Sequence, residues 1–122
     1  MKADRGTFVG TLYYISPEML KNQSGGPEGD YWALGVIIYK MLTNKYPFDG
    51  SGNVETFKSI KNCSFKFPDI AECYLDIDSK DLISKLLVLN PQDRLGCGEP
   101  GTKNDLNALK NHPFFKSINW KN

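Results

Sequence analysis

Long apolar runs are missing from this sequence. The longest, Tyr31 to Leu42, is too short to span a bilayer and contains Lys40. Near Met1, the charged residues Lys2, Asp4 and Arg5 are followed by no apolar run, so no secretory signal is read there. An excess of one charge is missing as well: 15 Lys and Arg stand against 14 Asp and Glu, a net charge of +1. That balance argues against nucleic acid or an anionic membrane surface as a partner, and the short apolar run argues against membrane insertion. Histidine occurs once, at His112, and cysteine three times, at Cys63, Cys73 and Cys97. The cysteine number is odd, the spacing fits no zinc pattern, and one His cannot complete one. The thiols read as reduced and structural in a cytosolic protein, so the expected compartment is cytoplasmic and no metal site is expected. Repeats and low-complexity segments are missing too.

What is present is ordinary globular composition. Hydrophobic residues make up 40% and charged residues 24% of 122 residues, enough for one domain with a modest core. The expected fold class is mainly α. Met1 to Gly10 reads as a loop. Ser16-Pro17-Glu18 is a helix start, with Ser at the cap, Pro where its missing N–H costs nothing, and Glu in the first turn. The stretch Ser24 to Gly29 reads as a loop, after which Asp30 is expected to cap a second helix. That helix carries Trp32, Leu34, Val36, Ile37, Ile38, Tyr39, Met41 and Leu42 on nearly every face, the pattern of a helix buried all round.

Tyr46-Pro47-Phe48 ends that region, and Asn53 opens a shorter helix with Val54, Phe57 and Ile60 on one side. Asp78 is expected to cap a further helix, in which Leu82 and Leu86, and Ile83 and Leu87, make i,i+4 pairs until Asn90-Pro91 stops it. A last helix is expected over Asp105 to Lys110, before His112-Pro113-Phe114-Phe115. Ser64-Phe65-Lys66-Phe67-Pro68 alternates like a strand but reads better as an extended connector. The other helices are short and one-faced, so this stretch has little with which to cover its central helix. Such a mismatch suggests part of a larger domain.

Four motifs then occur in order: Gly10-Thr11-Leu12-Tyr13-Tyr14-Ile15-Ser16-Pro17-Glu18, Asp30-Tyr31-Trp32-Ala33-Leu34-Gly35-Val36-Ile37-Ile38-Tyr39, Tyr46-Pro47-Phe48 and Asp93-Arg94-Leu95-Gly96. In this order and spacing they resemble the end of the activation segment and the following helices of eukaryotic protein kinases, over essentially the whole chain. Arg94-Leu95-Gly96 after a Leu-rich helix, and His112-Pro113-Phe114-Phe115 before Ile118-Asn119-Trp120, resemble the group of the cyclic-nucleotide- and phosphoinositide-dependent kinases. Phe8-Val9-Gly10-Thr11, Ser16-Pro17-Glu18, Leu86-Leu87-Val88-Leu89 and Leu95-Gly96-Cys97 look most like the phosphoinositide-dependent member. The resemblance implies residues 1–122 as the second half of a kinase large lobe (C-lobe), an incomplete domain without a second one.

It also implies roles. Gly10, Thr11, Leu12, Tyr13, Tyr14 and Pro17 would lie on the platform for the substrate residue just after the acceptor, with Thr11 bonded to the catalytic-loop Asp and Lys. Glu18 and Arg94 would form the ion pair that pins the activation segment, and Asp30 would hold the catalytic-loop backbone. Thr7 stands where the group carries its activating phosphate, although phosphoinositide-dependent members usually have Ser there. Apart from the resemblance, Thr11 reads equally as a turn threonine, Glu18 and Arg94 as two separate charges, and Asp30 as a plain cap. Arginine-directed members carry Glu at the positions of Tyr13 and Lys40, so this chain is expected not to select arginine shortly before the acceptor.

The sequence contains no Gly-x-Gly-x-x-Gly, no His-Arg-Asp and no Asp-Phe-Gly. The residues that handle ATP, metal and proton precede this region in the family. No catalytic, cofactor or metal residue is therefore assigned here, and the stretch alone is expected to be inactive. ATP and Mg would belong to a parent serine/threonine kinase, whose partners would be protein substrates, other kinases among them, and the remainder of its domain. With Met1 inside an activation loop, the expectation is a fragment of such an enzyme; the alternatives are a short non-catalytic decoy or scaffold and a nonfunctional remnant.

Overall fold

The computed structural model describes residues 12–21, 26–50, 52–70, 72–73 and 75–116. Among them are five α-helices and no strand: α1 (Pro17–Leu20), α2 (Pro27–Thr43), α3 (Asn53–Lys61), α4 (Ile77–Leu86) and α5 (Leu106–Lys110). Short 3-10 turns cover Leu12–Tyr14, Pro91–Asp93 and Pro113–Phe115. The mainly α expectation holds, and Ser64 to Pro68 belongs to no helix or strand.

Two helix starts differ from the sequence reading. Asp30 does not cap α2: the helix begins three residues earlier, with extended Gly26 before it and Pro27 in its first turn. Proline there has its φ already helical and loses no hydrogen bond. The loop expected to run to Gly29 therefore ends at Gly26, and Asp30 joins Glu28 as an acidic residue of the first turn. Nor does Asp78 cap α4, because Asp76 does, its Oδ1 accepting from the Ser79 N–H at 2.8 Å. Both carboxylates suit a helix start, but only Asp76 has the extended backbone that aims its side chain at the free N–H groups.

Other boundaries also follow local chemistry. Ser16 precedes α1 in extended conformation, yet its side chain makes no capping bond. Asn44 ends α2 in the left-handed region (φ 61°), its N–H returning to the Lys40 carbonyl. α4 stops at Leu86, before Asn90-Pro91, which opens the next 3-10 turn instead; Asn90 Oδ1 accepts from the Gln92 N–H at 3.1 Å. Asp105 caps α5 through the Ala108 N–H at 2.9 Å.

The core lies where α2 crosses α4. Trp32, Val36 and Tyr39 are buried with Leu82, Ile83 and Leu86, and each such side chain contributes about 1.5–3 kcal/mol by leaving water. Gly35 permits the close approach: a Cβ there would lie 2.9 Å from Leu86 Cβ. Phe48 stacks on Trp32 at 5.2 Å, and Phe65 meets Phe48 edge-on at 5.7 Å. As the shortage of covering helices implies, α2 is not covered on every side by the described residues. Ile37 is 43% and Met41 67% exposed. Apolar residues there outnumber the partners that the described residues supply.

Candidate functional site

Arg94 follows the Pro91–Asp93 turn and reaches back across the fold. Its side chain is fully buried, and that of Glu18 is 11% exposed. Nη1 donates to Glu18 Oε2 and Nη2 to Glu18 Oε1, both at 2.8 Å, a parallel two-bond fork. Nη1 also donates to the Glu28 carbonyl at 2.8 Å and Nε to the Val88 carbonyl at 2.9 Å, with a longer bond from Nη2 to the Leu89 carbonyl at 3.5 Å. The guanidinium lies 4.9 Å from the Trp32 ring centre. One side chain thus joins α1, the start of α2 and the segment after α4. Burial pushes the Glu18 carboxyl up, but the Arg94 hydrogen bonds and charge, with a backbone bond, outweigh it and hold it below the ordinary carboxylate range.

Beside this hub the residues before α1 form an aromatic ledge. Tyr13 stacks on Tyr46 with ring centres 4.0 Å apart and planes 8° apart, and Tyr14 meets Tyr46 edge-on at 5.8 Å. Lys40 Nζ, from the last turn of α2, lies 4.9 Å from the centre of the Tyr46 ring. Pro17 is buried at the first turn of α1. A groove of about 520 Å³, lined by Tyr14, Met19, Asp30 and Ala33 among others, runs along α1 and the open side of α2.

The structure therefore brings Glu18 and Arg94 together, sets Tyr13 and Tyr14 on one ledge, and places Asp30 in the groove beside them. Leu12 belongs to the 3-10 turn leading to the ledge. Thr7, Gly10 and Thr11 lie outside the described residues. Sequence reasoning gives Tyr46 only as a terminator, and it misses the carbonyls of Glu28, Val88 and Leu89 that complete the donor set of Arg94. Backbone acceptors carry no residue-type signal. The spacing of Tyr46 from Tyr13 gives none either.

Other reactive groups offer no chemistry here. Burial, aided by the Glu28 and Glu18 carboxylates and opposed by Arg94, pushes the Cys97 thiol up to about 11. Burial likewise raises Cys63, whose Sγ–H donates to the Leu87 carbonyl at 3.1 Å. His112 Nδ1 accepts from the Phe114 N–H at 3.0 Å, so Nε2 carries the proton and donates to Asp81 Oδ2 at 2.7 Å. That pair ties the last turn to α4. Among the described residues no cluster of three or more His, Cys, Asp or Glu is placed to hold a metal, and no helix is long and apolar enough to cross a membrane.

The protein kinase domain family matches residues 1–115. The probable serine/threonine-protein kinase pdkA of Dictyostelium discoideum is 40% identical over 114 residues, 93% of this chain and 16% of that protein. Serine/threonine-protein kinase KIPK2 of Arabidopsis thaliana is 39% identical over 119 residues, 98% of this chain and 12% of that protein. The probable serine/threonine-protein kinase pkgA of Dictyostelium discoideum is 42% identical over 113 residues, 93% of this chain and 8% of that protein. The chain spans less than a fifth of the length of these curated relatives.

Proposed function

Because the chain belongs to the protein kinase domain family, we propose that it supplies the substrate platform of a serine/threonine kinase that transfers the ATP γ-phosphate to proteins. The observation that carries this reading is the buried fork between Arg94 and Glu18, which anchors the Tyr13–Pro17 ledge to α2 and α4. A platform must hold its substrate in register with chemistry performed elsewhere, and a rigid tie at its end does this. Asp30, in the groove, is where a catalytic loop would be held through its backbone N–H groups. Thr11 would bond to that loop, and a phosphate on Thr7 would order the segment before it.

ATP and Mg would be held by residues other than these: none of the phosphate-cradling or metal-binding motifs occurs in the sequence, and no described cluster fits a metal. The contribution of this chain is positioning. By its motifs the parent is closest to the phosphoinositide-dependent kinases, activates other kinases by phosphorylating them, and works in the cytoplasm. A second reading is a decoy or scaffold that binds kinase substrates or regulators without chemistry.

Phosphorylation assays separate the two. A complete catalytic domain carrying this stretch is expected to phosphorylate serine and threonine in protein substrates, and the isolated chain to show no ATP turnover. Transfer only to tyrosine, or no transfer by the complete domain, would overturn the kinase reading. Binding of substrate proteins by the isolated chain without any active parent would favour the decoy. Fragment mass spectra of the active protein are expected to carry a phosphate on Thr7; Thr7 unmodified in every active preparation would remove that step.

A further inference from the structure

Two adjoining cavities lead away from the ledge. The first, of about 520 Å³, begins at Pro47, next in the chain to Tyr46, and has Phe65 and Phe67 in its wall. The second, of about 350 Å³, is walled by Ile70, Leu75 and Ile77, and Pro68 lines both. Their connector is fixed: Tyr39 Oη donates to the Lys66 carbonyl at 2.8 Å, and Lys45, the other neighbour of Tyr46, bonds Glu72 at 2.9 Å. Phe67 also stacks on Tyr39 at 6.1 Å, on the side of α2 away from the exposed Ile37 and Met41. More protein is expected over Ile37 and Met41, not here. Ile70 is 76% and Ile77 82% exposed, the most of any large apolar side chain among the described residues. Asp69 precedes the one isoleucine and Asp78 follows the other, and neither has an ion-pair partner among the described residues, whereas Asp76 is engaged as the cap of α4. The nearest cation, Lys80, lies along the Phe67 ring at 5.9 Å.

We propose that the groove running from Pro47 past Pro68 to Ile70 and Ile77 docks a segment of the protein substrate outside the acceptor sequence, one that carries a large apolar side chain beside a lysine or arginine. The inference rests on the kinase reading above and extends it to a surface that the platform role leaves unused. Continuity selects the substrate as the occupant, because a chain whose acceptor lies by the Tyr13 and Tyr46 ledge meets Pro47 next. Its apolar side chain enters between Ile70 and Ile77 and takes both out of water. Its cation reaches Asp69 or Asp78. Such a tether holds substrate and transition state equally, so it acts on KM and not on kcat.

The test uses the complete catalytic domain carrying this stretch and a short serine or threonine peptide that it phosphorylates. The peptide is extended on either side by a Gly-Ser spacer of about 5, 10 or 15 residues and a tail of alternating leucine and arginine. At the spacer that matches the span, the tail is expected to lower KM about tenfold with kcat unchanged. Ile70→Ser with Ile77→Ser should abolish that gain and leave the bare peptide unaffected, since both side chains are mostly exposed. Asp69→Asn with Asp78→Asn should cut the gain about threefold. A KM indifferent to the tail at every spacer, in a domain that phosphorylates the bare peptide, would overturn the docking site and leave the kinase reading standing. An equal gain from a tail of serine and arginine, which charge alone explains, overturns it too, as does a gain that survives the isoleucine variant. A dimer that this variant converts to monomer in sedimentation would give the surface to a second copy instead. If the bare peptide is not phosphorylated, the kinase reading fails and the docking site fails with it.

Discussion

The two flanks of α2 carry similar side chains and meet different surroundings. On one flank Trp32, Val36 and Tyr39 are buried against α4 and Phe48. On the other, Ile37 and Met41 stand in the open, and Asp30 and Ala33 line the groove along the same helical stripe. Hydrophobicity does not distinguish them. What distinguishes them is whether another of the described elements reaches that side. The closed flank is completed by a long-range tie, Arg94 to Glu18, which draws α1 onto the start of α2. An open flank of large apolar side chains marks a surface meant for more protein.

The strongest way to break the contrast is to cut the tie on the closed side. Arg94→Met leaves the Glu18 carboxylate buried without its partner and is expected to lower the stability of the complete catalytic domain by about 3–5 kcal/mol in urea titrations. Replacing both residues, as Arg94→Met with Glu18→Leu, should recover part of that loss, because no charge is stranded although the Glu28 and Val88 carbonyls still lose their donor. The pH dependence has a definite sign. The folded carboxyl of Glu18 is held below its ordinary range, so its contribution is fully present above the unfolded carboxylate pKa and is lost as pH falls through the folded one. Wild-type and Arg94→Met stabilities should differ fully near neutrality and converge in acid. A constant difference across pH would detach the effect from Glu18.

Next comes the helix crossing. Gly35→Ala puts a Cβ 2.9 Å from Leu86 Cβ and 3.0 Å from a Leu87 methyl. The methyl can turn away, but Leu86 Cβ is fixed to the α4 backbone. The expected cost is about 1–3 kcal/mol, read from the same titrations. A smaller effect is expected where the last turn meets α4. His112→Ala removes the acceptor for the Phe114 N–H and the bond to Asp81, for a loss of about 1 kcal/mol.

Much of the closed side is legible in the sequence because it rests on short-range rules. The i,i+4 leucines of α4, Pro17 after Ser16, and Asp105 before Leu106 declare their elements directly. The start of α2 is not legible in this way, because Asp30 and Pro27 are both start signals, and deciding between them needs the backbone angle of Gly26. The start of α4 escapes for the same reason, Asp76 and Asp78 being equal as letters. Residue spacing does not show the Tyr13, Tyr46 and Lys40 cluster; only the resemblance pairs Tyr13 with Lys40, and Tyr46 escapes it. Its members come from three separate segments, and aromatic stacking leaves no spacing pattern in a chain.

The open flank should give the smallest effect in the isolated chain and the most discriminating one overall. Ile37→Ser removes an exposed apolar side chain that packs against little, so the stability of the isolated chain should move by less than about 0.5 kcal/mol. The same change should reduce aggregation of the isolated chain, measured by light scattering, because it breaks up the uncovered stripe. In the complete domain, where the flank is expected to be covered, it should cost about 2 kcal/mol or more through lost packing. The comparison is between the two backgrounds, so errors common to both cancel. Equal costs in both would mean that nothing covers this side of α2, and the groove at Asp30 would then be ordinary surface.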